Sequence, residues 1–376
     1  MIKRQVKTAC IAALSATVLL AGCGKINPNE TLVTIKNGDK TETISLGLAN
    51  FAARYQQSMY DQFLLSYYGE GMWNSDMTGS GSTLQEETKD GVLTDLEDQY
   101  VAKKHASDYN VSLSDEQEKA IDDAVDKFLA DNDEESLKIM GATKDTVKEY
   151  LEYRTYYNLV GDAAKKEADK DITEDDCWMR SFTYVLFKTT GNTDEDGKTV
   201  ELTDEEITDL KANAKALSVA EDFDAEVEAQ GLTTSTYSYL KGETEDSTMD
   251  ISIIEAAEAL KEGEVSSVIE VTDAGYYVIR LDKDHDTEAS DNKRTSLQTE
   301  KFNELVSSWK EEIEWTVDEK VWEKVKFDTL FKAVEKEDTK ESTEEGTEEK
   351  TEETTEEPAE ETEDTSAESG DDSDAN

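Results

Sequence analysis

The stretch from Ala256 to Leu281 constrains the fold of this chain more than any other. Ala256, Ala257 and Leu260 share one helical face, and Gly263 supplies the stop. A strand follows, and a turn led by Gly275 returns Tyr276-Tyr277-Val278-Ile279-Arg280-Leu281, rich in aromatic and β-branched residues. Two short strands beside one helix are not stable alone, so further strands must complete the sheet.

The chain upstream supplies them. Phe182 to Phe187 is a short apolar strand, followed by a polar loop over 189–201. Thr203 with Glu206 caps a helix whose inner face is Ile207, Leu210, Ala214 and Leu217. A second short helix carries Phe223 and Val227 and stops at Gly231. Tyr237-Ser238-Tyr239-Leu240 forms another strand, and a helix runs from Met249 to Leu260. Strand, helix, helix, strand, helix, strand, strand is a compact α+β module.

The preceding region follows a different pattern. Leu32, Val33 and Ile35, a turn at Asn37-Gly38, and Thr43-Ile44 predict a β-hairpin. Phe51, Tyr55, Met59, Phe63 and Tyr67 then recur at helical spacing. Gly69 to Thr83 is Gly- and Ser-rich and predicts a flexible loop carrying Trp73. Three more helices are expected: one over roughly 90–108, one capped by Ser114 and Gln117, and one starting near Thr143. Beyond the module, Phe302, Leu305, Val306, Trp309 and Ile313 form an amphipathic stripe. A lone helix must bury such a stripe, and the N-terminal helices are its natural partner.

The two ends are not part of this folding body. Lys3, Arg4 and Lys7 precede an apolar run, Thr8 to Leu20, too short to span a bilayer but suited to a signal peptide. Leu20-Ala21-Gly22-Cys23 follows. At the other end, residues 335–376 hold 20 acidic and 3 basic side chains and no large apolar residue. Such a segment cannot offset its ordering entropy and is expected to be disordered. The whole chain has a formal charge of -51, which excludes nucleic-acid binding through phosphate contacts and predicts salt-sensitive attraction of basic partners. Of three cysteines, Cys10 lies in the signal and Cys23 at its end. Only Cys177 remains, so neither a disulfide nor a cysteine metal cluster is expected.

The 256–281 run resembles the closing signature of parvulin-type peptidyl-prolyl isomerase domains, which carry His where Tyr277 stands. Leu20-Ala21-Gly22-Cys23 resembles the bacterial lipoprotein processing box and implies lipid attachment at Cys23. Together with the helical region and the returning helix, these features resemble the extracytoplasmic foldase lipoproteins of Gram-positive bacteria (the PrsA family) and the periplasmic chaperone SurA. The resemblance implies an α+β protein in which a helical chaperone domain, built from the N-terminal helices and the C-terminal helix, receives an inserted parvulin-like domain. The boundaries expected are a signal peptide over 1–22, a lipidated tether over 23–30, a helical domain over 31–176, the parvulin-like domain over 177–286, a returning helix over 287–334 and an acidic tail over 335–376.

Parvulins place two histidines across the sheet at the floor of a proline pocket. The matching positions are Tyr184 and Tyr277. The family's pocket Met, with a Phe four residues later, corresponds to Met249 and Ile253. Thr272 matches a threonine three residues before the strand glycine, and Leu186 is assigned to the peptide-binding wall. The family's acidic or thiol residue near the second strand finds no match in 233–248. Rotation about an X-Pro bond needs no nucleophile, metal or redox group, so no cofactor is expected.

Two functions fit these residues. One is a membrane-anchored isomerase that assists folding of exported proteins outside the cytoplasm. The other is a non-catalytic holdase chaperone whose parvulin domain is degenerate, with the aromatic helix from Phe51 to Tyr68 cradling clients. Unfolded exported proteins are the expected partners, and the membrane is reached through lipid on Cys23. The oligomeric state stays open, a dimer included. A solute-binding lipoprotein would need many more alternating strands. Asp282, Asp284 and Asp286 begin like a Ca²⁺ loop, but Thr287 replaces its glycine and Lys293 its closing glutamate.

Overall fold

The computed structural model describes residues 26–193, 199–246 and 248–331. Cys23, the expected signal segment and the acidic tail lie outside the described residues.

Strands β1 (Thr31–Asn37) and β2 (Lys40–Ser45) form the expected hairpin, with Asn37 opposite Lys40. Ser45 then caps α1 (Leu46–Tyr68) by accepting a hydrogen bond from the Leu48 amide. Residues 26–30, expected as tether, belong to the folded body. Leu46 N donates to Glu30 O (2.7 Å) and Gly47 N to Pro28 O (3.0 Å). Gly47 approaches Pro28 so closely that a Cβ there would lie 2.9 Å from it. Lys324 locks the same segment by binding both Glu30 carboxylate oxygens (2.6 and 2.7 Å).

The Gly/Ser-rich segment after α1 departs from the flexible loop expected. Trp73 is only 1 % exposed, and its Nε1 donates to Asp61 Oδ1 at 2.8 Å. Asp76 accepts from the amides of Gly79 and Gly81 and folds the rest of the loop back. Helix α2 (Leu84–Lys104) starts earlier than the apolar period suggests, because Thr83 and Glu86 form a reciprocal capping box. Helix α3 (Asp115–Asp131) carries the expected Ser114–Gln117 box. The short α4 (Glu134–Met140), between Asp133 and the left-handed Gly141, is too brief to show a period. Helix α5 (Lys144–Ala168) begins at Thr143 as expected.

The chain then enters the sheet module with β3 (Met179–Lys188). A small hairpin, β4 (Asn192–Thr193) and β5 (Thr199–Val200), precedes α6 (Asp204–Ser218) and α7 (Phe223–Ala229). Strand β6 (Ser235–Leu240), helix α8 (Ile251–Glu258), and strands β7 (Ile269–Val271) and β8 (Gly275–Lys283) complete it. The four strands of the main sheet order as β6-β3-β8-β7, all antiparallel. One face buries Phe182, Tyr239, Ile279 and Leu281 against Ile253, Ile254 and Ala257 of α8. The other buries Val185, Phe187, Tyr276 and Val278 against α6 and α7. This two-sided burial is why β8 reads as an unbroken apolar run rather than an alternating one.

Helix α9 (Thr287–Glu311) returns and packs on α2 and α5. Its buried Phe302, Val306 and Trp309 each contribute roughly 1.5–3 kcal/mol before the entropy of ordering. The ring of His105 stacks on Trp309 at 4.4 Å, so this histidine is partly covered rather than a free surface group. Strand β9 (Glu314–Val317) joins the first hairpin by pairing with β1, placing Trp315 opposite Ile35. The short α10 (Glu319–Trp322) and a coil follow, and Val325 and Phe327 enter the same core as Leu32 and Ile35. The α+β class, with the sheet module inserted between helical segments that share one core, is therefore the observed one. Cys177 is buried, and burial raises its thiol pKa.

Candidate functional site

The α8 face of the sheet gathers most of the residues singled out from sequence. In β3, Arg180, Phe182, Tyr184 and Leu186 point to this face, because side chains alternate along a strand. Tyr237 is opposite Phe182, Tyr239 is opposite Arg180, and Tyr277 is opposite Leu186. Tyr184 and Tyr277 are thus diagonal neighbours, with ring centroids 5.8 Å apart at 38°. Phe182 links Tyr184 to Tyr237, with centroid distances of 6.1 and 5.8 Å.

Gly275 allows this pairing. Its φ is 142°, and a Cβ would fall 2.1 Å from the Phe187 carbonyl oxygen. Any side chain there would separate β8 from β3 one residue before the tyrosines begin.

The end of this face near Tyr184 and Tyr277 is open. Both rings and Tyr237 are half-buried, and Leu186 is exposed. Met249 is buried beneath them, just ahead of α8. Ile253 is completely buried, so it supports the floor rather than lining the surface. Thr272 stands in the exposed turn between β7 and β8. At the opposite end Arg180 is anchored by Glu258 (3.0 Å), Asp284 (2.9 Å) and the Leu260 carbonyl (2.8 Å). That anchor ties α8 to the sheet.

The polar groups divide into engaged and free donors. Tyr237 donates its hydroxyl to Asp246 Oδ2 at 2.6 Å. Burial and this carboxylate together push the Tyr237 pKa up to about 12. Asp246 Oδ1 also accepts from the amides of Thr248 (2.6 Å) and Met249 (2.8 Å), so the carboxylate sets the entry into α8. With the Tyr237 hydroxyl first among the causes, these bonds hold the Asp246 pKa below its ordinary value. Sequence reasoning found no counterpart in 233–248 for the family's acidic or thiol residue, because the glycine pattern expected there is missing; the structure joins Asp246 to the site through Tyr237, which no motif flagged. The hydroxyls of Tyr184 and Tyr277 have no hydrogen-bond partner among the described residues. Burial first, then Tyr184 and Asp250, raise the Tyr277 pKa, so its phenol stays a donor at neutral pH.

Among the described residues no group of His, Cys, Asp and Glu is arranged to hold a metal ion. Two clefts of about 940 and 930 Å³ border α9, away from the tyrosines.

A sheet of this order, packed by one helix on one face and two on the other, is the frame of a parvulin-type domain. Residues 187–291 match the family of PPIC-type PPIase domains. The chain carries such a domain and is a homologue of foldase protein PrsA. The protein of that name from Clostridium botulinum (strain 657 / Type Ba4) is 28% identical over 269 residues, covering 65% of this chain and 76% of its own length. Among solved structures, foldase protein PrsA from Streptococcus pneumoniae has 18% identity and a TM-score of 0.26, covering 62% of this chain and 89% of its own. A SurA-like chaperone from Campylobacter jejuni has 13% identity and a TM-score of 0.22, covering 77% and 99% respectively. The family match includes Tyr277 but begins three residues after Tyr184, which reaches the site through the pairing of β3 with β8.

Proposed function

We propose that the protein is a membrane-anchored extracytoplasmic foldase whose parvulin-type domain isomerises X-Pro bonds in exported client proteins. The observation that carries this reading is the Tyr184–Tyr277 pair, two unengaged phenol donors above an apolar floor in a PPIC-type domain. The barrier to X-Pro rotation is about 18–20 kcal/mol, set by amide resonance. At the twisted geometry the nitrogen lone pair is released and becomes a hydrogen-bond acceptor. A hydroxyl that donates to it binds the twisted amide better than the planar one. One such bond is worth about 1 kcal/mol net, or roughly a five- to ten-fold rate increase. Leu186 and the tyrosine rings offer the proline ring its apolar contact.

Membrane attachment rests on Leu20-Ala21-Gly22-Cys23 and the apolar run before it. Among the described residues no helix is long and apolar enough to cross a membrane. Acylation of Cys23 would hold the body close to the surface, because Ile26, three residues on, already packs against the helical core. Cys23→Ala should release the protein from the membrane fraction of producing cells, and retention there would rule out the lipid anchor. The catalytic claim is tested by cis-to-trans conversion of a proline tetrapeptide.

A second reading, a holdase without catalysis, is favoured by the far end of α1. Its stripe is buried at Phe51 but emerges at Phe63 (63 % exposed) and Tyr67 (83 % exposed). Large apolar groups this exposed suit transient contact with unfolded chains. Suppressed aggregation of a denatured client, with no gain in isomerisation, would favour this reading alone.

A further inference from the structure

A second apolar surface lies where the sheet module meets the helices. The end of α5, the linker 169–177, the end of β6 and the inner side of α9 enclose a groove of about 930 Å³. Its apolar walls are Tyr109, Ala168, Ile172, Leu240, Leu297 and Leu305, all half-buried. The volume falls within the range of sites that take several side chains at once.

The groove is held open by a fixed lattice of bonds. Arg294 Nη1 donates to Asp169 Oδ1 (2.9 Å) and to the Ile172 carbonyl (3.1 Å). Gln298 reaches the same carboxylate oxygen at 2.9 Å. These contacts fasten the linker to α9, so the walls are pre-arranged and little ordering is left for binding.

Charge around the groove is one-sided, with five carboxylates and two lysines. Glu167 is answered by Lys170, and Glu304 by Lys301. Asp171, Asp175 and Asp176 are exposed and have no ion-pair partner among the described residues, against a single unpaired lysine, Lys293, so the rim stays acidic. Apolar walls with unanswered carboxylates at the rim define the complement.

We propose that this groove binds an extended, proline-free client segment in which apolar side chains are flanked by lysine or arginine. It would hold a client beside the isomerase face without occupying the tyrosine pair. The proposal rests on the foldase reading only for the source of the segment.

The test is fluorescence anisotropy of the full chain with a labelled nonapeptide of alternating leucine and lysine, and with its glutamate counterpart. The lysine peptide should bind at least about ten-fold more tightly than the glutamate peptide. Ala168→Trp, which fills the groove, should weaken that binding about ten-fold. Asp171→Asn with Asp175→Asn, both at exposed positions, should weaken it about five-fold and flatten its salt dependence. The acidic tail is the same in every variant, so its attraction for the lysine peptide cancels between wild type and variants, and the variants locate the binding in the groove. Wild-type affinity in both variants, or equal binding of the two peptides, would overturn the proposal. Isomerisation of a proline tetrapeptide is read alongside. Its persistence when peptide binding is absent would refute the groove and leave the foldase reading intact. Peptide binding without isomerisation would uphold the groove and refute only the catalytic reading.

Discussion

Tyr184 and Tyr277 stand on the diagonal of two paired strands, rings 5.8 Å apart, with neither hydroxyl engaged by another described residue. The family resemblance matches them to the positions where parvulins carry histidines. The chemistry of a phenol differs from that of an imidazole chiefly in its proton: it is kept throughout the physiological range.

A pH profile follows from that difference. Burial raises the Tyr277 pKa above its ordinary value near 10. A raised phenol keeps its proton below that value and loses it as pH rises through the folded pKa. Isomerase activity should therefore be level from about pH 6 to 9 and decline only above about 10. The double substitution Tyr184→His and Tyr277→His should raise the rate and introduce a transition near pH 6.5. A level profile with unchanged rate in that variant would show that the hydroxyls are not the acting groups.

Gly275 is a structural requirement of the same pair. Gly275→Ala would place a methyl 2.1 Å from the Phe187 carbonyl oxygen at a φ of 142°. The sheet must open there, at a cost of about 2–4 kcal/mol. Urea unfolding should show a lower midpoint with a weakened near-UV signal from the tyrosines.

Asp61 ties the chain's return to α1. It accepts from Trp73 Nε1 (2.8 Å), Gln57 Nε2 (3.2 Å) and the Phe331 amide (2.9 Å). Removing all three acceptor contacts in Asp61→Ala should cost about 2–4 kcal/mol. Burial outweighs these bonds and raises the Asp61 pKa. A carboxyl raised in the folded state favours folding most when protonated, and that contribution is lost as pH rises through the folded pKa. The Tm advantage of the wild type over Asp61→Asn should accordingly shrink between about pH 4 and pH 7. Thermal unfolding across that range checks the sign.

In the holdase reading, Phe63 and Tyr67 serve client contact rather than folding. Both are well exposed, so Phe63→Ser with Tyr67→Ser should change stability by less than about 0.5 kcal/mol. Suppression of aggregation of a denatured client should fall in the same variant, as light scattering would show. Unchanged suppression would move the client surface elsewhere.

Much of this was legible in the sequence wherever the signal is local. The capping residues Ser114 and Thr203 mark helix starts because a cap and its partner lie three residues apart. The apolar run of β8 and its leading glycine carried the family resemblance. What escaped was set by partners far along the chain. Glu314 to Val317 becomes a strand only because β1 offers it an edge. Trp73 is fixed in a Gly/Ser-rich segment by a carboxylate on α1, and no period records that. Asp246 joins the site through Tyr237 on a strand edge, a contact that spacing alone does not announce. Cys23, read from its motif, and the tail, read from composition, lie outside the described residues.

The most direct measurement is the rate of cis-to-trans conversion of a proline tetrapeptide by the full chain, compared with Tyr184→Phe and Tyr277→Phe combined. That substitution keeps both rings and removes only the two hydroxyls. A rate above buffer for the wild type, falling at least about five-fold in the double variant, is the predicted result. A wild-type rate no faster than buffer, or a double variant as fast as the wild type, would contradict the account.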